Sequence, residues 1–478
     1  MSVHAETPLR IAELRTAERP VRLRMPFRFG VVTMTEAPQL FVQARIELAD
    51  GGGAWGVAAS LLAPKWFDKN PALDNERNFA QLRESVDRAA QAYLSAGSAA
   101  TAFGHFAAHY QALLDAARSA GENALVASFG QAMVDAAVLD ALGRALGLSF
   151  YQMVRANVPG IRAVPLAPDL AGFELAAWLG SLRPAERIHA RHTVGLVDAI
   201  RGHPGLTGDG LPESLEEVVA GYRHRYYKLK VGGALEADLA RLLEIASVLD
   251  AGAGDYRVTL DGNEQYEDVE QVVALWQAIE AHPALRRLAA ATLFIEQPIR
   301  RDRALARDVG ALSALRPVII DESDDRLDAF VQALALGYRG VSSKLCKGLY
   351  KSLLNGARCA RHAADAGAGA GAWLMSGEDL TNQAGIAVQQ DIALVNLLGI
   401  THVERNGHHY VNGMTGVDPA EQAAFARAHP DLYESAGGVT RVRIRDGALE
   451  IGSLDCAGFA SAVLPHLDST HDSAHDAP

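Results

Sequence analysis

Cysteine is scarce in this 478-residue chain, which has only Cys346, Cys359 and Cys456. An odd, scattered set gives neither a disulfide framework nor CxxC metal spacing, so a reducing compartment is expected. The N-terminal MSVHAETPLRIAEL lacks a basic region followed by a continuous apolar one, and no uninterrupted apolar run reaches the roughly 18 residues of a membrane span. The expected location is the cytoplasm, with no membrane partner. Basic charge is also in deficit. Lys and Arg number 45 against 57 Asp and Glu, a net charge of −12, which counts against nucleic acid and anionic surfaces as partners. A small molecule is the expected partner.

What is present is an ordinary globular composition, 49% hydrophobic and 21% charged, long enough for two domains. To about residue 60 the chain reads as strands, with QLFVQARIELADGG alternating into a turn at Asp50–Gly53. Amphipathic helical patterns follow, including NERNFAQLRESVDRAAQAYLSAG and QAMVDAAVLDALGRALG. From about residue 190 short apolar runs alternate with helices. HARHTVGLV, RYYKLKV, YRVTLDGN, ATLFIEQP, RPVIIDES, RGVSSKLC, GAWLMSGE and THVERNG are eight candidate strands. Eight βα steps suit an α/β, TIM-type (β/α)8 barrel, with a doubly wound open sheet as the other arrangement. The expected division is an N-terminal α+β domain over residues 1–165, a barrel over 166–420, and a C-terminal segment over 421–478. In that last segment GVTRVRIRDGALEIGSL is expected to fold back onto the N-terminal strands, and LDSTHDSAHDAP to form a disordered tail.

In RYYKLKV, strand alternation puts Lys228 and Lys230 on one face and Tyr227, Leu229 and Val231 on the other. Two ammonium groups side by side repel each other unless something anionic lies between them. In a barrel of this kind the site forms where strands end. There the sequence places Lys230, then Asp261 in LDGN, Glu296 in IEQP, Asp321 with Glu322 in DES, and Lys344 in SSKL, each about one βα unit after the last. A strand-end acid can also cap the following helix. Three acids converging on one volume would instead take up protons or bind a cation, and an all-oxygen set suits Mg²⁺ or Mn²⁺. A metal flanked by lysines suits removal of a proton next to a carboxylate, where the enolate must be stabilised as it forms. Lys230 is the candidate base, with Lys228 tuning it.

The ordered set KLK, LDGN, IEQP, DES and SSKL resembles the enolase superfamily, and the opposed lysines resemble its muconate-lactonizing-enzyme subgroup in the mandelate racemase/muconate lactonizing enzyme family. That subgroup also includes dipeptide epimerases and succinylbenzoate synthases. The resemblance runs from about residue 20 to 455. MPFRFGVVTMTEAP is similar to the family's mobile cap loop, near residues 26–36, and QAMVDAAVLDALGRALG to its cap helix. It implies a modified (β/α)7β barrel under a capping domain, with Asp261, Glu296 and Asp321 as Mg²⁺ ligands. It also implies Lys230 and Lys344 as acid and base catalysts on opposite faces of the substrate. Glu322 would partner Lys344, and Asn263 would support the site beside Asp261. Alternation selects Lys344 over Lys347.

The expected activity is proton abstraction α to the carboxylate of a small acid, giving racemisation, epimerisation or a related isomerisation. Dehydration by β-elimination and cycloisomerisation share that first step. A metal-free Schiff-base lyase and a non-catalytic binding barrel are readings of other classes. Glu378, Glu404 and His408 follow the last two strands, where barrel enzymes keep specificity groups. The pair His408–His409 in a strand would point apart and lacks ligand spacing, which favours a hydrogen bond to substrate or loop over metal binding. Phe27, Phe29 and Met34 of the cap loop are packing or substrate contacts. A homo-oligomer is expected.

Overall fold

The computed structural model describes residues 6–29, 32–367, 373–467 and 473–476. Leu9–Phe29 (β1), Val32–Leu48 (β2) and Gly53–Leu61 (β3) form an antiparallel sheet, β1 pairing with β2 and β2 with β3. Alternation of buried and exposed residues along β2 leaves one face for helices to cover. Ala124–Leu146 (the third helix, α3) covers β2 and β3, Asn75–Ser95 (α1) packs on α3 and reaches β1, and Ala102–Ser119 (α2) packs on α1 and α3. The Asn123 side chain caps α3 by accepting from Leu125 and Val126 N–H, and Gly147 ends it with φ +66°. This helix is apolar and long enough to cross a membrane by composition, but 94% of its apolar window is buried in this domain. Gly56 in AWGVAAS lets β3 approach α3, since a Cβ there would sit 2.1 Å from Ala141 N.

Eight parallel strands follow: Arg187–Val194 (β4), Tyr226–Lys230 (β5), Arg257–Asp261 (β6), Thr292–Glu296 (β7), Val318–Ile320 (β8), Gly340–Ser343 (β9), Leu374–Gly377 (β10) and His402–Glu404 (β11). β11 pairs back onto β4 through His402↔His189, Val403↔Ala190 and Glu404↔Arg191. That closure makes a barrel and excludes the open doubly wound sheet. Helices such as Leu235–Gly252, Leu349–Asp365 and Ile386–Leu397 fill the steps between strands. Tyr227 and Leu229 join the apolar layer beneath Leu242, Ile245 and Leu249, while Lys228 and Lys230 face the interior. The alternation that brings apolar residues to the helices therefore directs the lysines inward.

Two C-terminal expectations are corrected. The segment GVTRVRIRDGALEIGSL does not join the N-terminal sheet. Tyr433–Ala436 (β12) and Val439–Val442 (β13) make their own hairpin, and Ala448–Glu450 (β14) adds antiparallel to β4. β4 begins two residues before its first partner on β11, leaving a backbone edge that β14 occupies. Within the tail expected to be disordered, Ser473–Asp476 (β15) pairs with β1 at Glu13–Thr16. A backbone ladder needs no apolar period, so the sequence pattern carried no sign of it. Residues 468–472, 477 and 478 of the tail lie outside the described part.

The segment read as a cap loop is the end of the β1–β2 hairpin, with Phe27 opposite Met34. Residues 30 and 31 and the Phe29 side chain lie outside the described part. Polar contacts fix the cap over the barrel. Gln390 Nε2 donates to Val57 O (2.7 Å), Ser128 Oγ to Asp325 O (2.9 Å), and Leu327 N to Tyr110 Oη (2.8 Å).

Candidate active site

Each strand-end residue named from the sequence lies at the same end of the barrel. Lys230, Asp261, Glu296 and Glu404 close β5, β6, β7 and β11, while Asp321, Lys344 and Glu378 immediately follow β8, β9 and β10. Lys228, Lys230, Asp261, Asp321 and Lys344 line one cavity, and Phe27, Met34 and Trp66 roof it from the cap. In the closed strand order β5 and β9 are four positions apart among eight, so Lys230 and Lys344 approach from opposite sides.

The lysines do not stand bare. Lys230 Nζ lies 2.6 Å from Asp261 Oδ2, and Lys228 Nζ lies 2.8 Å from the same oxygen. Lys228 also reaches Glu296 at 3.0 Å, Glu378 at 2.5 Å and Glu404 at 3.2 Å. Burial disfavours its charge, but four carboxylates outweigh that and hold its pKa well above the usual lysine value. The simple picture of Lys228 tuning its neighbour by repulsion is thus replaced by a shared carboxylate between the two ammonium groups. Burial also works against charge on Asp261, yet Lys228 and Lys230 keep its carboxyl below the usual range. Glu296 has the opposite fate: burial and the adjacent Asp261 and Glu378 raise it well above.

Across the cavity, Lys344 Nζ lies 2.5 Å from Asp321 Oδ2 and 4.6 Å above the Trp66 ring. Asp321 and the neighbouring carboxylates overcome burial and keep Lys344 charged beyond the usual range. Lys347 lies behind it, donating to Asp321 O (3.1 Å) and Ser342 Oγ (2.8 Å), so it steadies Asp321 and does not line the cavity. Glu322 is corrected as a partner of Lys344. Residue 321 faces inward and residue 322 turns toward the cap, where Glu322 meets Asn263 Nδ2 at 3.4 Å and Lys69 at 3.6 Å. Asn263 lines the cavity, and its backbone N–H donates to Asp261 Oδ1 at 2.8 Å.

Of the specificity candidates, only Glu404 lines this cavity, accepting from Thr193 Oγ1 at 2.5 Å. Glu378 lies beneath, 2.5 Å from both Lys228 and Arg191. His408 lies elsewhere. It belongs to a short helix, Gly407–Tyr410, rather than a strand, and its ring is turned to the Arg405 backbone and away from the carboxylate cavity.

Several residues that build the site escaped the sequence reading. Arg191 is wholly buried in β4, and a charged residue in alternation within HARHTVGLV was its only signal. Arg301 donates to Trp66 O (2.8 Å) and Phe67 O (2.9 Å) and forks onto Glu264, to which Lys69 is also paired. This clamp holds the segment that delivers Trp66. Burial pushes the Glu264 carboxyl up, but hydrogen bonds and charge from Arg301, with Lys69, hold it at about 2.

Asp261, Glu296 and Asp321 offer only oxygen donors, the set a hard cation takes. They are not gathered tightly: Asp261 and Glu296 lean on Lys228, and Asp321 leans on Lys344. Both oxygens of the fully buried Glu296 carboxylate lie 3.0 Å from Lys228 Nζ, the one positive group they share. A carboxyl group that burial and its acidic neighbours still raise, despite Lys228, fits a place where further positive charge would be taken up.

No family model matches the sequence, and no curated protein does. Solved structures do match over nearly the whole chain. A mandelate racemase/muconate lactonizing protein from Herpetosiphon aurantiacus is 18% identical, with TM-score 0.57 over 95% of this chain and 98% of that one. A dipeptide epimerase from Enterococcus faecalis, complexed with Mg and the dipeptide L-Leu-L-Tyr, is 15% identical, with TM-score 0.58 over 94% and 99%. A member of the enolase superfamily from Roseovarius nubinhibens, complexed with magnesium, is 17% identical, with TM-score 0.54 over 98% and 100%. The fold is the one these proteins share, a capped barrel.

Proposed function

We propose that the chain is an enolase-superfamily enzyme of the muconate-lactonizing-enzyme-like subgroup, dependent on Mg²⁺, that moves the proton α to the carboxylate of a small-molecule acid. Racemisation or epimerisation is the favoured outcome. The observation that carries this reading is the pair Lys230 and Lys344, placed four strands apart on one closed barrel and lining one cavity. Asp261, Glu296 and Asp321 would hold the metal. When bound, the ion supplies positive charge beside the substrate carboxylate, against which negative charge can develop.

The remaining steps belong to the chain's own side chains. Lys230 Nζ takes the proton on one face, and Lys344 Nζ delivers one on the other. Asp261 and Asp321 orient these two amines through contacts of 2.6 and 2.5 Å. Lys228, ringed by carboxylates, stays charged and keeps the acid cluster from repelling itself. Trp66, Phe27 and Met34 roof the cavity and exclude water, which strengthens every electrostatic contact beneath them. Elimination or ring closure would use the same abstraction and leave one lysine without a proton to move.

The test is deuterium incorporation from D₂O, read by mass spectrometry, with the Mg²⁺-loaded protein and a pool of dipeptides, N-acylamino acids, sugar acids and muconate-type acids. Label α to a carboxylate that is retained without the protein's lysines changed and altered in Lys230→Ala or Lys344→Ala supports the reading. Absence of exchange across the pool in protein that binds Mg²⁺ counts against it.

A further inference from the structure

Outside the barrel's inner face, three histidines from separate elements meet across its closing seam. His192 lies on β4, His224 just before β5, and His408 just after β11. β4 and β11 are the first and last strands of the barrel, and their pairing closes it. One ring nitrogen from each histidine lies within 4.8 Å of the other two. Ring centroids form a nearly equilateral triangle: 5.5 Å for His192–His224, 5.5 Å for His224–His408 and 5.6 Å for His192–His408. A tetrahedral metal about 2.0–2.1 Å from three imidazole nitrogens would set the centroids roughly 5 Å apart. The same ion sets the nitrogens themselves roughly 3.4 Å apart, so binding requires the rings to turn and draw inward.

Each ring also keeps one nitrogen without a hydrogen-bond partner. His192 and His224 are 2% and 1% exposed, yet His192 Nδ1 and His224 Nε2 have no hydrogen-bond partner; one nitrogen of His408 faces the Arg405 backbone, and the other has none. The His224 tautomer is set by its surroundings. Its Nδ1 lies 3.0 Å from Ala190 O, so Nδ1 carries the proton and donates it, leaving Nε2 as a bare lone pair. Burial, outweighing the Ala190 carbonyl, pushes His224 down to about 4. Burial likewise drives His192 and His408 well below the ordinary value. Neutral imidazole is the form that binds metal. The nearby Arg405 opposes a cation, but its charge is engaged by Asp379 at 3.2 Å.

His408 is half-buried and forms part of the wall of a cavity of about 300 Å³, with Tyr222 and Val411. Of the three histidines only His408 borders that cavity, so a metal's way in and its fourth coordination position would lie on the His408 side. We infer that His192, His224 and His408 form a second metal site, distinct from the carboxylate site, that takes a Zn²⁺-class transition ion at three imidazoles and leaves the fourth position open to water or an exogenous ligand. Three nitrogen ligands with no carboxylate favour Zn²⁺ or Co²⁺ and disfavour Mg²⁺. Bound there, the ion ties the first two barrel strands to the segment after the last. That segment includes Tyr410, whose ring lies 4.2 Å from Phe27 of the active-site roof. This inference stands independently of the proposed reaction.

The test uses full-length protein treated with EDTA, dialysed and held in excess Mg²⁺ so that the carboxylate site is saturated. Titration with Co²⁺ is expected to give one equivalent with the strong visible absorption of a four-coordinate nitrogen site, erased by Zn²⁺. His408→Gln, at the half-buried position, is expected to weaken binding roughly tenfold or more, while Asp321→Asn leaves it unchanged. His192→Asn, checked for folding by circular dichroism, is a second variant with the same expected loss. Failure of the unmodified protein to bind one equivalent overturns the inference. So does binding that survives both histidine substitutions or disappears in Asp321→Asn.

Discussion

Alternate residues of β4 serve two regions governed by different electrostatics. Arg191 and Thr193 point into the barrel, where they meet Glu378 and Glu404, and both of these acids also contact Lys228. His192, between them, points outward into a group of imidazoles whose lone pairs are unanswered. A buried carboxylate or ammonium must be paired, because the cost of leaving it alone is several kcal/mol. A buried imidazole has another way out, since it can shed its proton and stay neutral. The inner region is therefore held by mutual neutralisation. The outer one is held by burial and by the His224 hydrogen bond to Ala190 O, and its unsatisfied atoms remain available to a ligand.

Breaking the inner region should have the larger effects. Replacing Lys230 or Lys344 by Ala is expected to lower racemisation or epimerisation by roughly 10²–10⁴ while leaving the fold intact, as read by turnover and circular dichroism. Lys228→Met removes the ammonium on which four carboxylates converge. Urea unfolding at neutral pH should show a loss of about 3–5 kcal/mol, smaller in mild acid as the stranded acids take up protons.

Acid should also loosen the clamp that holds Trp66. The folded Glu264 carboxyl, at about 2, lies below its ordinary value of 4.5. The stability it contributes is thus complete above about 4.5 and lost as pH falls toward 2, on the order of 3 kcal/mol in all. Glu264→Gln should flatten that part of the stability-versus-pH curve, and Arg301→Ala should make Trp66 more accessible to quenchers. The smallest effect is expected outside the barrel. His408→Gln in metal-free protein removes at most one contact to the Arg405 backbone, which Gln can also make, and should shift unfolding by less than about 1 kcal/mol. A large loss there would collapse the contrast between the two regions.

The same contrast explains what was legible in the sequence. Lys228 and Lys230 could be assigned one face because a strand's period is two, and the acids of LDGN, IEQP and DES could be placed at strand ends because each follows an apolar run. These are local signals. Pairings across the site carried none: Glu322 turns to Lys69 and Asn263 instead of Lys344, and Arg301 reaches Trp66 from a different domain. His192, His224 and His408 come together only when β11 closes onto β4. Reading His408 and His409 as strand residues concealed this, because the short helix Gly407–Tyr410 aims His408 where a strand would not. The edge left by β4, which took β14 away from the N-terminal sheet, likewise exists only in the folded barrel.

The most direct test of the opposed-lysine account follows deuterium from D₂O into each configuration of a substrate separately, using Mg²⁺-loaded Lys230→Ala and Lys344→Ala proteins. The geometry predicts that each variant keeps exchange from one configuration and loses it from the other, with the choice reversed between the two. Loss of the same configuration in both variants, or undiminished exchange of both configurations in either, would contradict it.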